Sequence, residues 1–153
     1  MIYILYGQPG SGKTSLANCL KDYLVKQIVR SGVYSPKIPV IIDGDEFRKV
    51  FEQVDYSRKG REDNIRAANT VATYISKVES KDVIMSLVNP YKHLRDELKK
   101  RNVGQTLEIM LSSRRELRKE YHVEDFEKGY PDCLINTDRE LEDSWNYLKA
   151  LIK

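Results

Sequence analysis

Gly7-Gln8-Pro9-Gly10-Ser11-Gly12-Lys13-Thr14 satisfies G-x-x-x-x-G-K-[ST] at every fixed position. Such a stretch cradles a phosphate. Its glycines let the backbone curl so that several N–H groups face one anion, and a following helix adds partial positive charge at its N-terminus. Lys13 then reaches the β- and γ-phosphates of a nucleoside triphosphate, and the Thr14 hydroxyl is placed to ligate Mg²⁺. Ser15 completes the expected ATP-contacting loop. A second cluster, Asp43-Gly44-Asp45-Glu46-Phe47-Arg48, follows an apolar run. A carboxylate there can join Thr14 in holding the metal, for which Asp43 is the candidate, or take the proton of an attacking hydroxyl, for which Asp45 is the candidate. The D-x-x-R spacing brings Arg48 to the same mouth one helical turn after Asp45. The same acidic residues also suit a plain helix N-cap.

These groups need a scaffold, and the sequence supplies one. Ile2–Tyr6, Ile38–Ile42, Val83–Val88, Thr106–Leu111 and Cys133–Ile135 are short, mostly continuous apolar runs. Runs of that kind fit strands buried on both faces of a parallel sheet. Between them lie helical patterns. Leu16, Cys19, Leu20, Tyr23, Leu24 and Ile28 form one apolar face, with Gly32 as the stop. Ile65, Ala68, Ala72, Ile75 and Val78 form a second, Tyr91–Arg101 gives a third, and Leu141, Trp145, Leu148 and Ile152 a last. The alternation predicts one α/β domain over residues 1–153. The phosphate loop falls after the first strand and the acidic cluster after the second, where open parallel sheets bind ligands. Ser31–Pro39, with Pro36, reads as a connecting loop. The polar stretch of about 112–132 reads as a lid.

The chain has 153 residues, with 26 Lys+Arg against 23 Asp+Glu for a net charge of +3, and 41% apolar residues. That size suits one domain with a real core. No run reaches the roughly 20 apolar residues of a spanning helix, and the mean hydropathy is −0.56. The first residues, MIYILYG, lack the basic flank and cleavage site of a signal peptide. Cys19 and Cys133 have no disulfide or metal spacing, so the expectation is a reduced, cytoplasmic protein without membrane partners. Cys19 is expected in the core. His93 and His122 are expected at the surface, and Lys92, Arg95, Lys99, Lys100 and Arg101 on a solvated helix face.

Taken in order along the chain, the motifs resemble those of the adenylylsulfate kinases (APS kinases), a branch of the P-loop kinases. The phosphate loop, the D-G-D-x-x-R of Asp43 to Arg48, and Tyr56-Ser57 followed by Arg61-Glu62-Asp63-Asn64-Ile65-Arg66 all match that pattern. So do Val88-Asn89-Pro90-Tyr91-Lys92 and the late strand ending Ile135-Asn136-Thr137-Asp138. The resemblance implies a three-layer α/β/α P-loop kinase with a five-stranded parallel sheet. It also implies transfer of the γ-phosphoryl of MgATP to the 3′-hydroxyl of adenylyl sulfate, with Mg²⁺ and ATP as cofactor and co-substrate. By that likeness Arg48, Arg61, Asn64 and Val88 hold the acceptor, and Tyr56 stacks on its adenine. Arginine forks suit phosphate or sulfate, and an aromatic face suits a base.

The sequence departs from the family at Gly60 (usually Asp), Ala67 (usually Arg) and Asn89 (Ser in some members), and most of all in a shortened lid. The family's lid supplies an aromatic and a lysine to the acceptor clamp. Here the lid keeps Arg114, Arg115 and Arg118 at helical spacing, and Arg115 and Arg118 are expected to fold over ATP. Three functions compete: an APS kinase, a kinase of another nucleotide, nucleoside or polynucleotide end, and a nucleotide-binding regulatory module without transferase activity. Small nucleotides are the expected partners, nucleic acid only in the second case, with a homodimer left open.

Overall fold

The first strand alternates its side chains between two cores. In the computed structural model, which describes residues 1–33 and 37–153, β1 (Ile2–Tyr6) is fully wrapped by neighbours. Ile2, Ile4 and Tyr6 point into one apolar cluster, and Tyr3 and Leu5 into the other, as a strand's two-residue period requires. The remaining strands are β2 (Val40–Asp43), β3 (Val83–Ser86), β4 (Thr106–Ser112) and β5 (Cys133–Asn136). All pair in parallel in the order β2-β3-β1-β4-β5.

The helices are α1 (Lys13–Arg30), α2 (Gly44–Val50), α3 (Arg58–Lys77), α4 (Lys92–Arg101) and α5 (Leu141–Leu151). Helix α1 brings Leu16, Ala17 and Leu20, and α5 brings Leu148, to one face of the sheet. On the other face lie Phe47 of α2, Ala68 and Ala72 of α3, and Leu98 of α4. The expected three-layer α/β/α architecture with five parallel strands is therefore present. The carboxyl ends of β1, β2 and β3 open on one side, where the first crossover leaves a crevice. Pro36, in the middle of the connecting loop read over Ser31–Pro39, lies outside the described residues.

Three expectations need correction. The segment carrying Arg114, Arg115 and Arg118 is not helical: it is irregular up to a single 3₁₀ turn at Lys119–Tyr121. Arg118 itself has φ 55°, a left-handed conformation that no continuous α-helix admits. Cys19 is only half-buried. Arg95, read as solvated, is wholly buried. Its Nε donates to the buried Glu108 of β4 at 2.7 Å, Nη1 to the Asn89 carbonyl at 2.7 Å, and Nη2 to the carbonyls of Glu127 and Lys128. The guanidinium also lies 4.0 Å from the centroid of the Tyr6 ring. Glu108 pairs in register with Ile4 and shares its face, so the one carboxylate inside β4 draws a cation from α4 into the core.

Candidate active site

Lys13 opens α1 from the end of the phosphate loop and bends back over it. Its Nζ donates to the carbonyls of Gly7 (3.0 Å) and Gln8 (2.8 Å) and reaches the Ser11 hydroxyl at 3.3 Å. The residue is only 8% exposed. Burial pushes its pKa down to about 8; Asp45 and Asp43 pull it upward and Arg118 presses it lower. Two glycines make the loop possible. Gly12 caps α1 in the left-handed region at φ 87°. Gly10, at φ 80°, lies so near the lid that a Cβ there would sit 2.7 Å from the Leu117 carbonyl oxygen.

Asp43 ends β2 and does two jobs. Its Oδ1 accepts from the backbone N–H groups of Asp45 (3.0 Å) and Glu46 (3.3 Å), capping α2. Its Oδ2 accepts from the Thr14 hydroxyl at 2.8 Å, and Ser86 Oγ lies 3.4 Å from that hydroxyl. Thr14 and Asp43 thus present hard oxygens side by side beneath the phosphate loop. That donor set fits Mg²⁺, which typically takes one or two protein oxygens together with water and substrate phosphates.

Asp45 stands one residue into α2. Across the mouth of the cleft Arg118 Nη1 reaches its Oδ2 at 3.2 Å. Arg48, a turn further on, donates Nη1 to the carbonyls of Gln53 (3.3 Å) and Asp55 (3.1 Å), and its guanidinium sits 4.3 Å over the Tyr56 ring. Gly60 explains how that wall closes. A Cβ at this position would lie 2.4 Å from the Asp55 carbonyl oxygen, so the glycine that replaces the family's Asp lets Asp55 rest on α3 and face Arg48.

A cleft of about 830 Å³ gathers these groups. Pro9, Gly10, Gly12, Lys13, Thr14 and Ser15 line its phosphate end, with Asp43 and Asp45 at the centre. Arg48, Tyr56, Arg61, Asn64 and Val88 line the far wall, and Arg115 and Arg118 come down from the lid. Three expected contacts do not line it: Gly7, Gln8 and Ser11. Ser11 is buried, with its carbonyl accepting from Thr137 Oγ1 at 2.8 Å. The Gln8 amide is turned to the lid and pairs with the backbone of Val123. In the far wall the Asn64 Oδ1 and both polar atoms of the Asn89 amide are buried without a protein partner among the described residues.

Sequence reasoning missed Leu117, Glu120, Tyr121 and Val123, which also line the cleft. A weakly patterned lid gives no spacing from which they could be read. His122, expected at the surface, is half-buried, with Nε2 3.2 Å from the Pro9 carbonyl oxygen. Arg115 reaches Thr137 Oγ1 at 3.4 Å over the start of α1. Phe126 stacks on Tyr6, with ring centroids 6.1 Å apart, as part of the core rather than the cleft.

A profile of the adenylylsulphate kinase family matches residues 1–136. The fold is similar to that of the Mycobacterium tuberculosis APS kinase CysC in complex with AMPPNP and APS. That likeness has 18% identity and a TM-score of 0.75, covering 99% of this chain and 97% of that one. A gluconokinase from Sinorhizobium meliloti has TM-score 0.65 at 15% identity, covering 97% of this chain and 89% of its own. Chaetomium thermophilum Kti12 in complex with ADP-AlF3 has TM-score 0.68 at 17% identity, covering 99% and 97%. Among curated proteins nothing matches. The fold is thus shared by kinases of different acceptors, while the profile, covering most of the chain, singles out one branch: this P-loop kinase chain belongs to the adenylylsulphate kinase family.

Proposed function

We propose that the chain transfers the γ-phosphoryl of MgATP to a hydroxyl of a small anionic acceptor, with the 3′-hydroxyl of adenylyl sulfate the favoured one. One observation carries this: a single cleft holds Lys13, Thr14 and Asp43 at one end and Arg48, Tyr56, Arg61 and Asn64 at the other, with Asp45 between. Lys13 and the loop amides bind and neutralise the phosphates. Thr14 and Asp43 would hold Mg²⁺, which when bound screens charge on the transferring group. Asp45 takes the proton of the attacking hydroxyl once Arg118 has turned from it to the phosphates. Arg48 and Arg61 bind the anionic part of the acceptor, Tyr56 offers a ring face to its base, and the Asn64 Oδ1 accepts from a donor on the bound acceptor. Arg115 and Arg118 cover ATP from the lid. Catalysis of this kind is mostly positioning and electrostatics.

A kinase acting on another nucleotide, a nucleoside or a polynucleotide end is the second reading. It is favoured by the Arg48 guanidinium over Tyr56, which takes one face of the aromatic ring that the far wall presents among the described residues. The experiment is a coupled assay of ADP release with adenylyl sulfate, nucleosides, nucleotides and 5′-hydroxyl DNA. Release with adenylyl sulfate alone supports the first reading, and release with another acceptor supports the second. Tight ATP binding with no acceptor-stimulated release overturns both and leaves a nucleotide-binding regulatory module.

A further inference from the structure

The lid is short, yet it is docked on the phosphate loop in a defined way. The Gln8 Nε2 donates to the Val123 carbonyl at 2.8 Å, and the Val123 N–H donates to the Gln8 Oε1 at 2.9 Å. One primary amide thus pairs with both backbone groups of a buried residue 115 positions away. Gln8's own backbone carbonyl accepts from Lys13 Nζ at 2.8 Å. Gln8 is therefore a direct link between the phosphate-binding lysine and the lid. Its neighbours seat the same segment. His122 Nε2 lies 3.2 Å from the Pro9 carbonyl oxygen, and Leu117 packs against Gly10. Between these anchors sit Arg118, on Asp45, and Tyr121, lining the cleft.

We infer that Gln8 is a positioning residue for phosphoryl transfer: it latches the short lid to the phosphate loop and so sets where Arg118 and Arg115 stand over ATP. This rests on the kinase function proposed above. The Gln8 side chain does not line the cleft and acts through Val123. The chemistry is restrictive. At neutral pH a carboxamide offers a donor and an acceptor on one planar end at this reach, and the ionised carboxylate of the same length does not. A carboxylate has no donor for the Val123 carbonyl, and an alkyl chain leaves both Val123 groups orphaned.

Two variants of the full chain test it, Gln8→Ala and Gln8→Glu. Hydrogen exchange over residues 117–125 and ATP consumption are both read. In Gln8→Ala, exchange of that segment rises and kcat falls about tenfold, as expected when the undocked lid outweighs the docked one by that ratio. Gln8→Glu behaves alike at pH 8. A protonated carboxyl again has one donor and one acceptor, so its deficit relative to the parent shrinks as pH falls toward 5, whereas the Gln8→Ala deficit stays constant. Unchanged exchange, unchanged kcat with only a lower melting temperature, or a Gln8→Glu deficit that ignores pH would each overturn the latch. If the parent chain consumes no ATP with adenylyl sulfate, it is the acceptor assignment that fails. The latch is then judged by exchange and by ATP affinity, both of which need no acceptor.

Discussion

The two ends of the cleft are built by opposite means. At the phosphate end Lys13 is held by partners no more than six positions away along the chain. At the lid end the contacts that matter join residues 73 apart (Asp45 and Arg118) and 115 apart (Gln8 and Val123). The first is a local motif that a turn and a helix start can form by themselves. The second exists only once five strands have brought distant segments together. A local motif needs few residues to keep its chemistry, whereas a lid assembled at long range is free to shorten and to change what the acceptor meets.

The largest expected effect lies at the local end. Lys13→Ala removes the buried ammonium from the phosphates and should lower kcat by about 10³-fold or more, read as ADP release under saturating acceptor. Its removal also takes a donor from the Gly7 and Gln8 carbonyls, so melting is followed in parallel and turnover is read per folded protein. Undiminished turnover would break the assignment of the phosphate end altogether.

Arg95 sharpens the comparison from the side of stability. It joins α4, β4, the Asn89 carbonyl in the far wall and the root of the lid at Glu127–Lys128. Arg95→Met leaves Glu108 buried with Lys99 as its remaining cationic partner, and should cost about 3–5 kcal/mol in denaturant titrations. Adding Glu108→Leu should recover much of that loss, because a buried pair replaced by apolar groups is often close to neutral. A single variant with unchanged stability would show that the far wall and lid root do not need this bolt.

How much of this the sequence could show follows the same division. The strands, their parallel class and the phosphate loop are legible because each rests on a local period or a fixed spacing. Asp43 and Asp45 are legible as an acidic cluster that closes an apolar run. Arg95 is not: on its helix it looks like one more basic residue, and only the register of Ile4 with Glu108 reveals its partner. The lone Glu within Thr106-Leu107-Glu108-Ile109-Met110-Leu111 was the available signal. The spacing of the lid arginines permits a helix. Docking on Pro9 and Gly10 won over that propensity, with Arg118 in a left-handed conformation as the result. The Gln8 latch had no local signature at all.

The acceptor wall is the next place to probe. Arg61→Ala should raise the acceptor KM by about 10- to 100-fold, the worth of a charge-assisted hydrogen bond, with the ATP KM unchanged. Arg61 lines the far wall, so a parallel rise in both constants would mean that the acceptor wall and the phosphate end are not separable.

The smallest effect couples the ends through a proton. In the ATP-free chain the Lys13 pKa is pushed down to about 8, by burial first, with Arg118 adding to the depression and Asp45 opposing it. Because the lysine loses its charge as pH rises, kcat/KM for ATP should be level below that point and fall about tenfold per unit above it. Bound phosphates favour the charged form, so the break in kcat should lie at higher pH than the break in kcat/KM. Arg118→Met removes one repulsion and frees Asp45 to act on Lys13 alone; both changes raise the lysine pKa, so the kcat/KM break should move upward by a fraction of a unit. A break that stays put in Arg118→Met would show that the docked lid does not feel the phosphate loop electrostatically. The coupling between the two ends would then rest on the contacts of Gln8, Pro9 and Gly10 with the lid.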